Sequence, residues 1–359
     1  MSAPNRVRTL LFLNGFGRFA PQIKRVRGVL FNLGLTCCTL LLVAVACEWA
    51  LRLASLAQPV RMGWLGKHQD HPPPELAADT DTGWKMHPNG AFVWNREFQD
   101  QVYRSNSLGF RSDHDFDPAD SRYRIALTGD SYTWGSAVAY DKIFATLLET
   151  DSPDWVSWNF AMPGFGIDQV WLSTKHKVLP MKPDLLVVGI VNADFERSQI
   201  PFREGFNKPT FKLEHGQLVR RATEPTPNAL WRYLDEYSHL WAAWELSKRW
   251  AGTHYGVTEY WTLNQALLDA LREDANNAGV PVLFVYIPIS SFKPFPALRA
   301  YMERVRADYI DLTQQRPVPP KSIYLPHDGH LSAEGHRYVA NLIEDWIKLH
   351  PRLTERRAQ

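Results

Sequence analysis

From Tyr123 onward, short apolar runs with strand character alternate with amphipathic helical patterns, and this alternation restricts the chain to an α/β sheet covered by helices. The runs at 123–128, 155–160, 184–191, 281–288 and 308–312 are read as strands. Helices are expected near 134–150, 168–179, 230–250, 258–278, 295–306 and 332–349. In the last of these, Tyr338, Val339, Leu342, Ile343, Trp346 and Ile347 fall on one stripe, and Ser332 stands where an N-cap is needed. Residues 196–229 break the alternation with Pro, Gly and a hairpin pattern from Phe211 to Val219. They read as an insertion of the kind that shapes a cleft.

Ahead of this region the chain is organised differently. Val29 to Cys47 are 19 residues without a charge, and the segment before them carries Arg6, Arg8, Arg18, Lys24, Arg25 and Arg27 with no acidic residue. At about 1.5 Å per residue such a run crosses the hydrocarbon of a bilayer. A buried soluble helix would have to be apolar on every face, and a cleaved signal peptide is the more serious rival. The long basic lead and the lack of a clear small-x-small cleavage site favour an uncleaved signal anchor. The basic side stays cytoplasmic, which puts the remainder outside a bacterial inner membrane as a single-pass, periplasmic domain.

The organisation expected is therefore a cytoplasmic basic segment at 1–28, a transmembrane anchor at 29–53, a polar linker at 54–83 containing His71-Pro72-Pro73-Pro74, lead-in strands at 84–118 and the main domain at 119–359. All three cysteines, Cys37, Cys38 and Cys47, lie in the apolar run, so disulfides and thiol catalysis are excluded from the exported part. A net charge of +2 gives no general argument for nucleic acid, and neither a P-loop nor a zinc-finger spacing occurs. No cofactor or metal is expected.

The first strand runs into Gly129-Asp130-Ser131-Tyr132-Thr133-Trp134-Gly135. A Ser on a tight strand-to-helix turn has an exposed hydroxyl, and its N–H lies at the positive end of the helix dipole, which favours a nucleophile with an oxyanion beside it. A base can come from His327-Asp328-Gly329-His330-Leu331-Ser332-Ala333-Glu334-Gly335-His336, where an Asp near a His can fix its tautomer. Three histidines in ten residues can also bind a metal, but no second cluster completes a ligand set, so zinc ranks below base chemistry.

The order of these pieces over about residues 120–350 resembles the SGNH, or GDSL-type, hydrolase superfamily in its bacterial, membrane-anchored, extracytoplasmic branch. The resemblance implies a three-layer, flavodoxin-like sandwich with a mostly parallel central sheet. It implies Ser131 as nucleophile, His330 as base and Asp328 as orienting acid, with His327 a secondary candidate. It also implies an oxyanion hole from Ser131, Gly164 in Asn159-Phe160-Ala161-Met162-Pro163-Gly164-Phe165-Gly166, and Asn192 in Val188-Gly189-Ile190-Val191-Asn192-Ala193-Asp194. The third block departs from the family's Gly-x-Asn-Asp, so Asp194 could occupy the oxyanion position. Asn192 is favoured because a carboxylate there opposes negative charge. The Asp328–His330 spacing is two where the family commonly has three. Val102 to Arg111 resembles the lead-in of the same branch, with Arg104 or Arg111 as possible anion contacts.

The activity so implied is a serine esterase or O-acyltransferase acting through an acyl-Ser131. The external location with the aromatic content, including 14 Trp, points to an extracytoplasmic polysaccharide with acetyl as the group. The alternative is a catalytically silent glycan-binding or assembly subunit partnering a membrane O-acyltransferase. A membrane-proximal lysophospholipase is a further alternative.

Overall fold

The computed structural model describes residues 20–54, 73–93, 101–221, 257–289, 295–317, 319–326, 328–351 and 353, with isolated positions between 230 and 247. Contacts divide the chain into two units, residues 1–62 with 233–248 and residues 63–232 with 249–359.

In the first unit, α1 (Ala20–Leu53) is a single helix. Its Gly28–Leu53 portion has a mean hydropathy of 2.3 and is long and apolar enough to cross a membrane. The helix starts nine residues before the uncharged run, because its basic lead contains residues that helices accept readily.

In the second unit, the chain first forms two antiparallel ribbons, β1 (Leu76–Asp79) with β2 (Gly83–Met86), and β3 (Ala91–Val93) with β4 (Val102–Arg104). β1 falls inside the stretch read as linker. Leu76 and Trp84 are buried, so ordered structure reaches further back than the polar composition of 54–83 indicates. The main domain follows: β5 (Tyr123–Thr128), α2 (Ser131–Trp134), α3 (Phe144–Asp151), β6 (Trp155–Asn159), α4 (Ile167–Ser173), β7 (Leu185–Ile190) and α5 (Asn192–Arg197). The insertion carries two small ribbons, β8 (Phe202–Arg203) with β9 (Phe206–Asn207) and β10 (Phe211–Glu214) with β11 (Gln217–Arg220). The chain ends with α6 (Val257–Asn277), β12 (Val282–Tyr286), α7 (Pro296–Val305), β13 (Asp308–Asp311) and α8 (Ala333–Leu349).

β5, β6, β7, β12 and β13 form one parallel sheet in the order β13-β12-β7-β5-β6. Successive strand residues serve opposite faces. Ala126, Leu186, Val188 and Phe284 pack with α4, α6 and α7 through Val170, Leu267, Leu271 and Leu298. Ile125, Leu127, Leu185, Val187 and Val285 pack with α3 and α8 through Leu148, Val339 and Ile343. The architecture is the expected three-layer sandwich, and its central strand β7 is apolar throughout because both faces are covered. The first central strand has the second on one side and the third on the other. This is the doubly wound order in which loops at the strand carboxyl ends diverge and leave a crevice.

Candidate active site

Four loops at the carboxyl ends of the sheet meet at this crevice. β5 ends in Gly129-Asp130, and the chain turns at once into α2, whose N-cap Asp130 accepts a hydrogen bond from Tyr132 N. The turn is possible because Gly129 has φ of 154° and no side chain. A Cβ there would stand 2.4 Å from Thr133 Oγ1 and 2.8 Å from the Gly189 carbonyl. α2 lasts one turn before Gly135, in the left-handed conformation, ends it. The continuous helix expected over 134–150 is therefore broken, and its main part starts only at Phe144.

Ser131, at the start of α2, is 7% exposed. Its Oγ lies 2.8 Å from His330 Nε2, and His330 Nδ1 lies 2.6 Å from Asp328 Oδ2. With the imidazole proton on Nδ1 donating to the carboxylate, Nε2 accepts the seryl hydroxyl. The shortened Asp328–His330 spacing is accommodated by a tight turn: Gly329 has φ of 80°, its N–H donates to Leu325 O, and Leu325 N–H donates to His330 O. Tyr132, next to Ser131, donates from Oη to Gly329 O at 2.9 Å, and its ring centroid lies 4.7 Å from that of His330.

The other histidines separate by environment. His336 is buried in α8 and accepts from Phe144 N through Nδ1. Burial, aided by the charges of Arg111 and His330, holds it down at about 3, so it is a neutral structural acceptor. His327 lies outside the described residues.

Of the oxyanion candidates, Gly164 has φ of 81°, and a Cβ there would meet Arg203 Nε and Glu204 Oε1 at 3.1 Å. Its loop is tied to the one that carries Ser131. Met162 N–H donates to Gly129 O at 3.1 Å, and Asn159 donates to Thr133 O while accepting from Ala161 N. Asn192 is exposed at the first position of α5. Asp194 is fully buried and committed elsewhere: it accepts from Val191 N at 2.9 Å and from Arg197 Nη1 at 2.8 Å. Burial, reinforced by the charge of Asp130, pushes its carboxyl well above the usual range.

Arg197 went unnoticed in the sequence. The same Nη1 reaches Asp130 Oδ2 at 2.8 Å and the Phe165 carbonyl at 3.1 Å. One buried guanidinium thus joins the Asp130–Ser131 turn, the Gly164 loop and α5. Burial alone would lower its pKa, but Asp130 and Asp194 outweigh it and hold it raised. Its signal in the sequence is only a basic residue three places after Asp194, too common to single out.

Arg111 is not an anion contact. It is buried beneath the elbow, donating to the carbonyls of Trp134, Gly135 and Val138 and standing over the rings of Tyr103 and Trp134 at 4.6 and 4.8 Å. It caps a helix end whose carbonyls have no helical donor. Arg104 is exposed, 3.9 Å from Asp113.

No family model matches the chain, and no curated protein matches it. Solved structures similar to it include the psychrotrophic esterase EstA from Pseudoalteromonas sp., 11% identical, over 64% of this chain and 99% of that one, with a TM-score of 0.40. An acetyl xylan esterase, AlAXEase, is 15% identical over 62% of this chain and 99% of its own, with a TM-score of 0.38. A GDSL-like lipase from Bacteroides thetaiotaomicron VPI-5482 is 12% identical over 64% of this chain and 89% of its own, with a TM-score of 0.37. With likenesses this distant, the chemistry is read from this chain's own residues.

Proposed function

We propose that this chain is a serine ester hydrolase or O-acyltransferase of the SGNH type, working through an acyl-Ser131 intermediate. The observation that carries the reading is the continuous Ser131–His330–Asp328 chain of 2.8 and 2.6 Å contacts at the carboxyl ends of the parallel sheet. His330 takes the seryl proton through Nε2 as Oγ attacks the ester carbonyl, and Asp328 stabilises the imidazolium. The oxyanion is held by the N–H groups of Ser131 and Gly164 and the amide of Asn192. Asn192 suits this role because it is exposed and neutral, whereas Asp194 is occupied by Arg197. His330 returns the proton to the leaving alcohol, and water or a sugar hydroxyl then releases the acyl group.

The substrate class that fits an anchored domain outside the inner membrane is an O-acetylated polysaccharide. The apolar Gly28–Leu53 segment and the basic residues before it support that location. The test supplies the full chain in detergent with an O-acetylated polysaccharide, an aryl acetate and a lysophospholipid. Acetate release from the polysaccharide supports the proposal. Fatty-acid release alone selects the lysophospholipase reading, and no turnover on any of the three by folded protein selects the silent subunit.

A further inference from the structure

The main domain's sequence is interrupted by residues 233–248, which belong to the same unit as α1. Glu48, the first charged residue after the uncharged run, is where the two meet. Its Oε1 accepts from His239 N at 2.9 Å and from Arg52 Nε at 2.8 Å, and its Oε2 accepts from Leu240 N at 2.8 Å and from Ser238 Oγ at 3.0 Å. Arg52 Nη2 completes the junction by donating to Tyr237 O at 2.5 Å. Positions 239–241, 243, 244 and 247 are helical, so Glu48 satisfies first-turn N–H groups that a helix leaves without internal acceptors. Each side resolves the other's cost. A carboxylate at the end of an apolar span is expensive unless fully hydrogen-bonded, and so are orphan N–H groups.

What this junction presents is apolar. Tyr237, Leu240 and Trp244 are 49%, 38% and 57% exposed, and their spacing of three and four residues puts them on one stripe. In a soluble setting such a stripe is a liability. At the point where a transmembrane helix leaves the hydrocarbon it has the composition of the membrane–water interface, where Trp and Tyr place an apolar ring among acyl chains and a polar edge among headgroups.

We propose that the segment around Tyr237–Ser247 is a second membrane contact, an interfacial helix fastened to the end of the anchor by Glu48 and resting Tyr237, Leu240 and Trp244 in the outer leaflet. The occupant is lipid because the stripe continues from a helix built for lipid. The inference rests on α1 spanning the membrane, so the experiment reads both.

In the full chain with Cys37, Cys38 and Cys47 replaced by Ala, a nitroxide is attached singly through Leu240→Cys, Trp244→Cys, Leu41→Cys within the anchor or Leu108→Cys on the exposed surface of the main domain. Each protein is reconstituted in liposomes of phosphatidylcholine and phosphatidylglycerol, and relaxation by oxygen and by a water-soluble nickel chelate is measured. The expected result is nickel accessibility at both 240 and 244 severalfold below that at 108, with oxygen accessibility raised toward that at 41. Nickel accessibility at 240 or 244 equal to that at 108, with 41 still in lipid, overturns the second contact and leaves the anchor standing. Exclusion of both relaxants at 240 and 244 means that protein covers the stripe and overturns the proposal. A water-like reading at 41 removes the anchor and the second contact together.

Discussion

Tyr132 donates from its phenol to the carbonyl of Gly329, 197 residues away, so the residue beside Ser131 clasps the turn that presents His330. Both ends of the Ser131–His330 contact are therefore fixed by neighbours one position away, Tyr132 next to Ser131 and Gly329 next to His330. The phenol itself is driven well above its ordinary pKa by burial, with the charge of Asp130 adding to it, and it stays a donor at every pH the protein meets. Tyr132→Phe keeps the ring against His330 but removes this bond. About 1 kcal/mol of positioning energy is lost, so kcat falls roughly five- to tenfold with KM little changed. Steady-state kinetics on an aryl acetate checks this, and a change confined to KM contradicts it.

Arg197 holds two buried carboxylates, and removing it leaves both without their cation. Arg197→Met should cost on the order of 3–5 kcal/mol in urea unfolding, the range for breaking a buried ion pair from one side. Asp194→Asn should cost less, about 1–3 kcal/mol, because Asp130 still pairs with the guanidinium and the neutral amide suits a site that already disfavours charge. Equal losses in the two variants would mean that the network does not centre on Arg197.

His336 makes stability depend on acid. Its ordinary pKa is about 6.5, and burial holds it near 3 in the folded protein, so between these values the unfolded chain binds the extra proton. Stability is thus unaffected by this group above about pH 6.5 and falls as the pH drops toward 3, by up to about 1.4 kcal/mol per unit. His336→Gln retains an acceptor for Phe144 N and should flatten this limb while costing some stability at neutral pH. Urea midpoints of both proteins at pH 5 and pH 7.5 test it.

Much of the fold was legible because a doubly covered parallel sheet writes its inner strands as largely apolar runs, with the edge strand β13 mixed. β5, β6, β7, β12 and β13 each lie within one residue of, or inside, the stretches read as strands. Ser131, Asp328 and His330, which the fold brings into contact, were legible as candidates for a different reason, since a Ser at a tight turn and a His beside an Asp are local patterns. What escaped depends on distance in the chain. Tyr132, Arg111 and Arg197 act through partners that only folding brings near, and a lone Tyr or Arg carries no local mark of such a role. The broken helix after Ser131 escaped because the left-handed residues Gly135 and Ala137 sit inside an otherwise helical pattern, and the carbonyls they release are capped by Arg111. Leu76 escaped because four residues of strand in a polar stretch carry too little periodicity to separate from linker.

Gly189 is required by contact. Added there, a Cβ would stand 2.0 Å from Thr133 Oγ1, so Gly189→Ala must push the elbow helix away from β7. The variant should lose most of its activity, and Thr133→Ala in the same chain should restore a substantial part of it by removing the colliding hydroxyl. A double-mutant cycle on kcat/KM reads the coupling, and additive losses would show that the two residues do not meet.

The central claim is that Ser131 is made nucleophilic by His330. The full chain is treated with a fluorophosphonate probe, and the adduct is located by peptide mass spectrometry. The account predicts one adduct, on Ser131, absent in Ser131→Ala and formed on the order of a thousandfold more slowly in His330→Ala. Folded protein that takes no label at Ser131, or takes it at an undiminished rate without His330, contradicts it.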